Sequence, residues 1–417
     1  MSSKYPTFDG NDLSRQNLKD AQAYYRANGL VKIALLSAKQ CSKLVAEQWK
    51  KVISKQNWTP DYKIKVVSKQ DGRMLDVDKK DDRKEFLAAV IGPLSPGVRK
   101  GFEGGWTLHR GFGACCDPAV FHLPRVWKLR QDPRIYEFAV RLTGVEHLWC
   151  DINRSIQKLP GQGDNEFLHF DYNPFHQDKE TRNAQDQQVC GKICYTKSRF
   201  IGVLGSHTQE FIKEMVEKYS PHYPHVKSTD KKFGLSQEKP DPMKLIERKE
   251  EIPVGAGEMV IWHPRLLHGT RKTPIGDPVE YGNYIGFFPA PEGSREKYKE
   301  TCGVDELEDR LRSYKEGNAP ILWPSFDKVQ FYPKKFDNFP HLMMAYVKKL
   351  EENHPMIMDG FTAKGVPKKY LVPIPQVDYK PPRLSKLGKK LLGLRAWKKK
   401  ERVKDGDSDH VAKKRRT

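Results

Sequence analysis

The stretch EFLHFDYNPFHQD, Glu166 to Asp178, places a histidine and an aspartate two residues apart, directly after the turn-rich segment LPGQGDN. On a β-strand, side chains at positions i and i+2 share a face. An imidazole nitrogen of His169 and a carboxylate oxygen of Asp171 are therefore expected to point into one space. Such a pair is an incomplete metal site, and a further ligand must come from another part of the chain.

The segment VGAGEMVIWHPRLLHGT, residues 254–270, offers that ligand. It reads as a glycine turn, an apolar strand starting at Glu258, and His268 near the end of the strand beside another turn. Two histidines and one carboxylate on one face of a metal form the facial triad of non-haem iron oxygenases. His169, Asp171 and His268 are the predicted metal ligands and catalytic residues. The alternative is an aspartate that caps the turn DYNP and two histidines satisfied within the core.

Composition limits the class of protein. The chain has 417 residues, of which 37% are hydrophobic and 11% aromatic, which is typical of a globular protein with one large domain or two ordinary ones. The seven cysteines are odd in number and form no CxxC pair, so we expect reduced thiols in an intracellular protein. The N-terminal sequence lacks a signal-peptide pattern, and no apolar run reaches the roughly 18 to 20 residues of a membrane helix. We expect a soluble protein without a membrane span.

The positive charge is concentrated at the C-terminal end. The net charge is +21, and the residues from Lys380 to Thr417 hold 15 Lys and Arg against 4 Asp and Glu. Basic clusters at Lys398–Lys400 and Lys413–Arg416 are separated by a polar spacer, which is the form of a bipartite nuclear-import signal. A nuclear location and an import receptor as partner are predicted. A basic tail that contacts nucleic acid through its phosphates is a compatible alternative.

Periodicity predicts helices first and strands afterwards. Residues 12–56 are predicted to be helical, and Asp117 and Asp132, each followed by proline, are predicted to open two short helices, the second closed by Gly144. From Glu146 onward several segments alternate like strands and are separated by Gly, Pro and Asp turns. Closely spaced strands of this kind favour an antiparallel sandwich or barrel with flanking helices over a parallel sheet.

Three motifs in order carry a family resemblance: HFD at His169, GSH at Gly205–His207 and GEMVIWHPRLLHGT. Together they resemble the iron- and 2-oxoglutarate-dependent dioxygenases of the phytanoyl-CoA dioxygenase-like group, over roughly residues 146–291. The resemblance implies a double-stranded β-helix, a jelly-roll or cupin-like barrel. It also implies Fe(II) held by the triad, 2-oxoglutarate chelating the metal, O2 as co-reactant and hydroxylation of a substrate carbon. His207 itself is expected to be a structural turn residue.

One feature departs from the family pattern. Members usually hold the far carboxylate of 2-oxoglutarate with an arginine about ten residues beyond the second histidine, where this chain reads TPIGDPVEYGN without a basic residue. Arg271 and Lys272 lie closer to His268, and continued alternation would turn Thr270 and Lys272 inward and Arg271 outward. Lys192, on the strand predicted from VCGKICYT, is another candidate cosubstrate-binding residue. A buried carboxylate requires such a partner.

The expected organisation has four parts: an N-terminal helical and mixed extension over 1–112, the oxygenase domain over 113–300, a helical region over 301–394, and a basic disordered tail over 395–417. In the third part, DELEDRLRSYKEG and FPHLMMAYVKKLEEN are predicted amphipathic helices. The following proline-punctuated segment either straps across the barrel or stays exposed for docking. Cys190 and Cys194 are expected to be buried apolar groups.

The substrate of such an enzyme is open at this point. The resemblance suggests a small molecule, whereas the basic tail suggests a nucleic-acid base or a nuclear protein. An alternative function is a catalytically silent double-stranded β-helix with a structural or binding role in the nucleus, which the missing arginine favours.

Overall fold

The structure is a computed structural model. It describes residues 4–48, 114–115, 121–152, 155–158, 168–175, 183, 185–226, 233–235, 239–269, 280–290, 306–317, 322–324, 329–331 and 379–397.

Two sheets form the centre of the described structure, and the strand labels follow chain order. The large sheet has the order β1 (Thr7–Asp9), β2 (Leu30–Ala34), β11 (Glu258–Trp262), β7 (Cys190–Cys194), β13 (Glu280–Tyr284), β5 (Ser155–Lys158), β3 (Ala114–Cys115). The small sheet has the order β10 (Glu250–Val254), β8 (Ser198–Gly202), β12 (His268–Gly269), β6 (His169–Phe170), β9 (Phe233–Gly234). Two further pairs are β4 (Leu148–Cys150) with β14 (Phe287–Pro289) and β15 (Leu322–Pro324) with β16 (Val329–Phe331).

The connections between the sheets define the fold class. The chain passes from β5 in the large sheet to β6 in the small sheet, back to β7, and across again to β8. It then continues through β10 in the small sheet, β11 in the large, β12 in the small and β13 in the large. The pairings among these strands are antiparallel. This is the connectivity of a double-stranded β-helix, a jelly-roll arrangement of two facing sheets, and the predicted fold class is confirmed.

Three apolar clusters hold the layers together. The cluster between the two sheets combines side chains from both: Leu30, Cys194, Phe200, Ile252, Val254, Val260, Trp262 and Leu266. Along β7, Gly191 and Ile193 face the other way, as strand alternation requires, and Ile193 joins a second cluster with the helices. The third cluster lies on the outer face of the small sheet and includes Phe170 and Met215.

The helices cover the outer faces of the sheets. They are α1 (Arg15–Asn28), α2 (Ala38–Gln48), α3 (Pro124–Arg130), α4 (Pro133–Thr143), α5 (Gln209–Tyr219), α6 (Leu245–Arg248), α7 (Glu306–Glu316) and α8 (Lys386–Leu392), with a 3-10 turn at Ser220–His222. The predicted ends of α4 are confirmed. The Asp132 side chain accepts a hydrogen bond from the Arg134 backbone N–H, and Gly144 closes the helix with φ of 73°. The predicted start at Asp117 lies outside the described residues, and α3 begins at Pro124. Among the described residues, no helix is long and apolar enough to cross a membrane.

The prediction of continuous helix over residues 12–56 is wrong between α1 and α2. Gly29 ends α1 in the left-handed conformation, with φ of 78°, and its N–H donates to the Tyr25 carbonyl at 2.7 Å. The chain then enters β2, which pairs antiparallel with β11 and parallel with β1. The N-terminal segment therefore extends the large sheet by two strands.

The strand that was predicted to run from Glu258 to His268 is divided between the two sheets. β11 ends at Trp262, and a turn follows in which the Leu266 N–H donates to the His263 carbonyl at 2.9 Å. Pro264 has no N–H to contribute to a sheet ladder, which favours a break at this point. His268 consequently opens β12 in the small sheet.

The C-terminal segment 379–397 packs against the barrel's outer layer. The predicted helix in DELEDRLRSYKEG is confirmed as α7, and the buried Arg310 donates to the carbonyls of Leu391 at 3.0 Å and Cys150 at 2.5 Å. Trp397 stacks on Tyr136, with ring centroids 5.8 Å apart. The disorder expected from residue 395 therefore does not include Trp397. FPHLMMAYVKKLEEN and the residues beyond 397 lie outside the described residues.

Candidate metal centre

The two predicted histidine ligands lie on neighbouring strands of the small sheet. His169 on β6 and His268 on β12 are direct partners across the antiparallel pair. Residues in such positions have their Cβ atoms about 4.5 to 5.5 Å apart on the same face. Asp171 follows β6 directly, two residues after His169, and alternation returns its side chain to that face.

The side chains meet closely enough to share one ion. Asp171 places Oδ1 at 3.6 Å from Nε2 of His169 and Oδ2 at 3.6 Å from Nε2 of His268. The two imidazole rings have centroids 4.5 Å apart. Within the described part of the chain, this is the only group of three His, Cys, Asp or Glu side chains whose ligand atoms lie within 4.8 Å of one another.

The ring of His268 is fixed in orientation. Its Nδ1 lies 2.9 Å from the Leu266 carbonyl oxygen, which can only accept, so Nδ1 carries the hydrogen and Nε2 presents its lone pair to the triad. Phe200 stacks on the ring with an interplanar angle of 3°, and the Trp262 ring centroid lies 5.4 Å away. The side chain of His268 is 7% exposed, so apolar packing and the hydrogen bond to the Leu266 carbonyl hold the ring in place.

The donor set fits a divalent transition metal. Two imidazole nitrogens and a carboxylate oxygen suit Fe(II) and its neighbours in the first row. Ligands at right angles around an ion with bonds of about 2.1 Å lie roughly 3 Å apart, so the 3.6 Å separations require only small side-chain rotations. His169 and Asp171 are 19% and 18% exposed, which leaves one side of the site open to a ligand.

Lys192 points into the space between the sheets, where it forms an ion pair and a hydrogen bond. Its Nζ lies 2.5 Å from Oε1 of Glu280 and 2.7 Å from Oγ of Ser198. Burial opposes the charged form of Lys192, but the Glu280 carboxylate outweighs burial and raises the pKa of the lysine. The positive charge of Lys192 is thus already matched by a buried carboxylate.

The remaining predicted cosubstrate contacts lie outside the described residues: Thr270, Arg271 and Lys272. Cys194 is fully buried in the cluster between the sheets, as expected, and Cys190 is partly buried beside it. Cys41, Cys150, Cys190 and Cys194 are free thiols.

His207 is a structural residue, as its motif suggested. Its Nε2 lies 3.1 Å from the Arg26 carbonyl, and burial lowers the pKa of the imidazole to about 4. A Cβ on Gly29 would lie 2.6 Å from Nδ1 of His207, so the glycine at the end of α1 is required for this approach. In the same motif, the Ser206 hydroxyl accepts a hydrogen bond from the Leu267 N–H at 2.8 Å. The GSH turn therefore ties α1 to the turn that precedes His268.

A polar network in the turn that precedes His268 was missed from the sequence. Nε2 of His263 donates to Oδ1 of Asp186 at 3.2 Å, and the Arg265 guanidinium binds the same oxygen. Burial raises the pKa of Asp186, but the His263 hydrogen bond and the charge of Arg265 prevail and lower it. Burial lowers the pKa of His263, so that imidazole is neutral. The signal was present in HPRLLHG, where Arg265 and His263 stand just before His268.

Several buried polar atoms around this network have no hydrogen-bond partner among the described residues: the Tyr25 and Tyr172 hydroxyls, both amide atoms of Gln185, and Nε of Arg265. Trp262 Nε1, in the cluster between the sheets, belongs to the same class. A buried donor left without an acceptor costs about 1 to 3 kcal/mol. These atoms are open to a hydrogen-bond partner from outside the described residues.

No protein-family model and no curated protein matches this sequence. Solved structures that resemble the chain include the non-heme alpha ketoglutarate dependent carbocyclase SnoK from nogalamycin biosynthesis, at 16% identity, covering 69% of this chain and 88% of that one, with a TM-score of 0.36. HygX from Streptomyces hygroscopicus, with nickel and 2-oxoglutarate bound, has 12% identity, 67% and 88% coverage and a TM-score of 0.38. GlcNAc Inducible Gene 2 of Candida albicans has 11% identity, 74% and 70% coverage and a TM-score of 0.43. Since these TM-scores lie below 0.5, the fold assignment rests on the strand order of this chain.

Proposed function

We propose that this protein is a non-haem Fe(II)- and 2-oxoglutarate-dependent oxygenase that hydroxylates a substrate carbon. The observation that carries the proposal is that His169 and His268, on adjacent strands of a double-stranded β-helix, meet Asp171, which directly follows β6. His169, Asp171 and His268 would hold the ion from one side and would leave room on its open side for a 2-keto acid and O2.

When bound, Fe(II) and 2-oxoglutarate supply oxidative chemistry that yields succinate and CO2 and inserts one oxygen atom into a C–H bond. The role of the chain's own residues is to bind the metal and to orient its ligands. The Leu266 carbonyl holds the tautomer of His268, and Phe200 and Trp262 exclude water from one side of its ring. Asp171 keeps a carboxylate among the ligands, which supports hydroxylation over halide binding.

The far carboxylate of 2-oxoglutarate requires a positive or hydrogen-bonding partner. Thr270, Arg271 and Lys272 remain the proposed contacts. Lys192 is the weakest of the sequence-based candidates because Glu280 already compensates its charge. In the cluster between the sheets, the unpartnered indole N–H of Trp262 is a suitable donor to an oxygen of the cosubstrate.

A second candidate function is a barrel that binds a metal without oxidative turnover. The observation that favours it is the Lys192–Glu280 pair, which occupies interior space with matched charges and offers no free cation to a carboxylate. Under this alternative, the substrate proposals, a small molecule, a nucleic-acid base or a nuclear protein, become binding partners.

Metal content tests the triad. The purified full-length protein should bind one equivalent of Fe(II), Mn(II) or Co(II), and Asp171→Ala should abolish this binding because two imidazoles alone form a weak site. Asp20→Ala, on the exposed face of α1, is the matched control and should bind metal as the parent does. Equal metal content in Asp171→Ala and the parent would remove the triad from the proposal.

A further inference from the structure

Arg265 is a buried cation, and its carboxylate partner Asp186 is about half exposed to solvent. Its side chain is 8% exposed, whereas the side chain of Asp186 is 51% exposed. Breaking this ion pair costs little free energy for Asp186, because its carboxylate can be solvated by water. The cost is large for Arg265, because its positive charge would stay buried without a partner. The carboxylate of Asp186 is therefore the replaceable member of the pair.

The surroundings of Arg265 are rich in groups that suit an anion. Nε of Arg265 and the hydroxyls of Tyr25 and Tyr172 have no partner among the described residues, and both tyrosines are almost fully buried. The ring centroid of Tyr25 lies 6.1 Å from that of His263, whose Nε2 donates to the same Asp186 oxygen that Arg265 binds. The fully buried amide of Gln185, adjacent to Asp186, adds another donor.

The position of this group connects it to the metal centre. Arg265 stands in the turn between β11 and β12, three residues before His268, and Tyr172 directly follows Asp171. The Leu266 carbonyl, next to Arg265, accepts from Nδ1 of His268. The polar cluster thus borders both segments that carry the triad.

We propose that Arg265, in the turn that leads to His268, is an anion-binding residue, where a ligand carboxylate or phosphate replaces Asp186 against the guanidinium. The incoming anion takes over the charge pairing of Asp186 and also accepts from Nε of Arg265 and the tyrosine hydroxyls. This inference rests on the proposed function, since it treats the space beside the triad as the place where a ligand enters. It assigns an acidic group to that ligand.

Glutarate, a dicarboxylate without the keto group that chelates a metal, is the probe, and its neutral diamide is the control ligand. Binding is measured by calorimetry on the full-length protein with and without Mn(II). Asp186→Asn keeps an acceptor for His263 but removes the competing charge, so it should strengthen glutarate binding by about tenfold. Arg265→Gln should abolish that binding, and neither variant should change the response to the diamide.

A double variant, Asp186→Asn with Arg265→Gln, removes both charges together, so it lacks the unpaired buried cation that Asp186→Asn alone leaves at Arg265. It should lack glutarate binding. Unchanged or weaker glutarate binding in Asp186→Asn would overturn the inference, as would binding that survives in the double variant. Metal content measured in every variant separates this result from the proposed function, because the triad can bind metal whether or not Arg265 binds an anion.

The source of the anion is settled by comparing 2-oxoglutarate with 2-oxobutyrate, a 2-keto acid without a distal carboxylate, on the Fe(II) protein. If Arg265→Gln weakens only 2-oxoglutarate binding, the bound anion is the distal carboxylate of the cosubstrate. If it weakens glutarate binding but leaves both keto acids unchanged, the acidic group belongs to the substrate.

Discussion

Lys192 and Glu280 form a buried ion pair whose role is to stabilise the interior between the sheets. Both side chains lie between the sheets, at 6% and 9% exposure, and the Ser198 hydroxyl lies within hydrogen-bonding distance of both. Removing one partner of a buried pair leaves an uncompensated charge, which typically costs about 3 to 5 kcal/mol, whereas replacing both with apolar residues costs far less.

We therefore predict that Lys192→Met lowers the free energy of unfolding by about 3 to 5 kcal/mol, measured by urea denaturation. Lys192→Met combined with Glu280→Leu should recover most of that loss, and Lys197→Met, at an exposed lysine in the following turn, should have little effect. If Lys192→Met instead kept the parent's stability and weakened 2-oxoglutarate binding, Lys192 would be the cosubstrate anchor.

At the scale of single residues, the sequence predicts the triad better than it predicts the ion pairs of Lys192 and Arg265. His169 and Asp171 are two residues apart, and strand alternation alone places them on one face. Glu280 lies 88 residues from Lys192, and its pairing depends on strand register, which no local pattern specifies. The Asp186 network was missed for the same reason, because its contact with Arg265 spans 79 residues.

At the scale of elements, Gly29 brings the end of α1 against the turn that precedes His268. Gly29 and Gly144 close α1 and α4 with nearly the same φ, 78° and 73°. A Cβ on Gly29 would lie 2.6 Å from Nδ1 of His207 and 2.9 Å from Cδ1 of Leu266, but a Cβ on Gly144 would meet nothing within 4 Å. The two glycines share the left-handed backbone conformation, which glycine adopts without strain, and they differ in packing.

Gly144→Ala should therefore lower the free energy of unfolding by about 1 to 2 kcal/mol, the cost of a left-handed alanine. Gly29→Ala should cost clearly more, because His207 and Leu266 must also move. Urea denaturation of both variants measures the difference. Equal losses would show that the contact between α1 and the GSH turn is loose.

The helices and strands also show which features local sequence patterns cannot predict. Asp132 and Gly144 act within their own helix ends, so the bounds of α4 were predictable. β2 was not, because LVKIA follows a helix directly and its strand identity comes from pairing with β11, far along the chain. The same holds for the division between β11 and β12, where a turn transfers His268 to the other sheet.

At the scale of the whole molecule, Trp397 is the last residue of the C-terminal segment 379–397 that packs on the barrel, and the basic tail begins directly after it. The Trp397 indole N–H donates to the Leu148 carbonyl at 3.1 Å, and its ring stacks on His147 with centroids 5.3 Å apart. The predicted import clusters begin at the next residue. A deletion that tests import should therefore spare Trp397.

We predict that removing residues 398–417 leaves the unfolding temperature and metal content unchanged but abolishes nuclear accumulation of a fluorescent fusion, because both basic clusters are lost. Replacing Lys413–Arg416 alone by alanines should reduce accumulation without changing the length of the chain. Undiminished nuclear enrichment of the deletion variant would contradict the import role of the tail.

The most direct test of the oxygenase proposal is the visible absorption spectrum of the Fe(II) protein with 2-oxoglutarate under anaerobic conditions. A 2-keto acid chelated to Fe(II) gives a metal-to-ligand charge-transfer band, and we predict that band for the parent and its absence in Asp171→Ala. Admission of O2 should then release succinate slowly, even without substrate. Metal bound at the triad with neither band nor succinate at millimolar 2-oxoglutarate would contradict the oxygenase proposal and favour a metal-binding barrel.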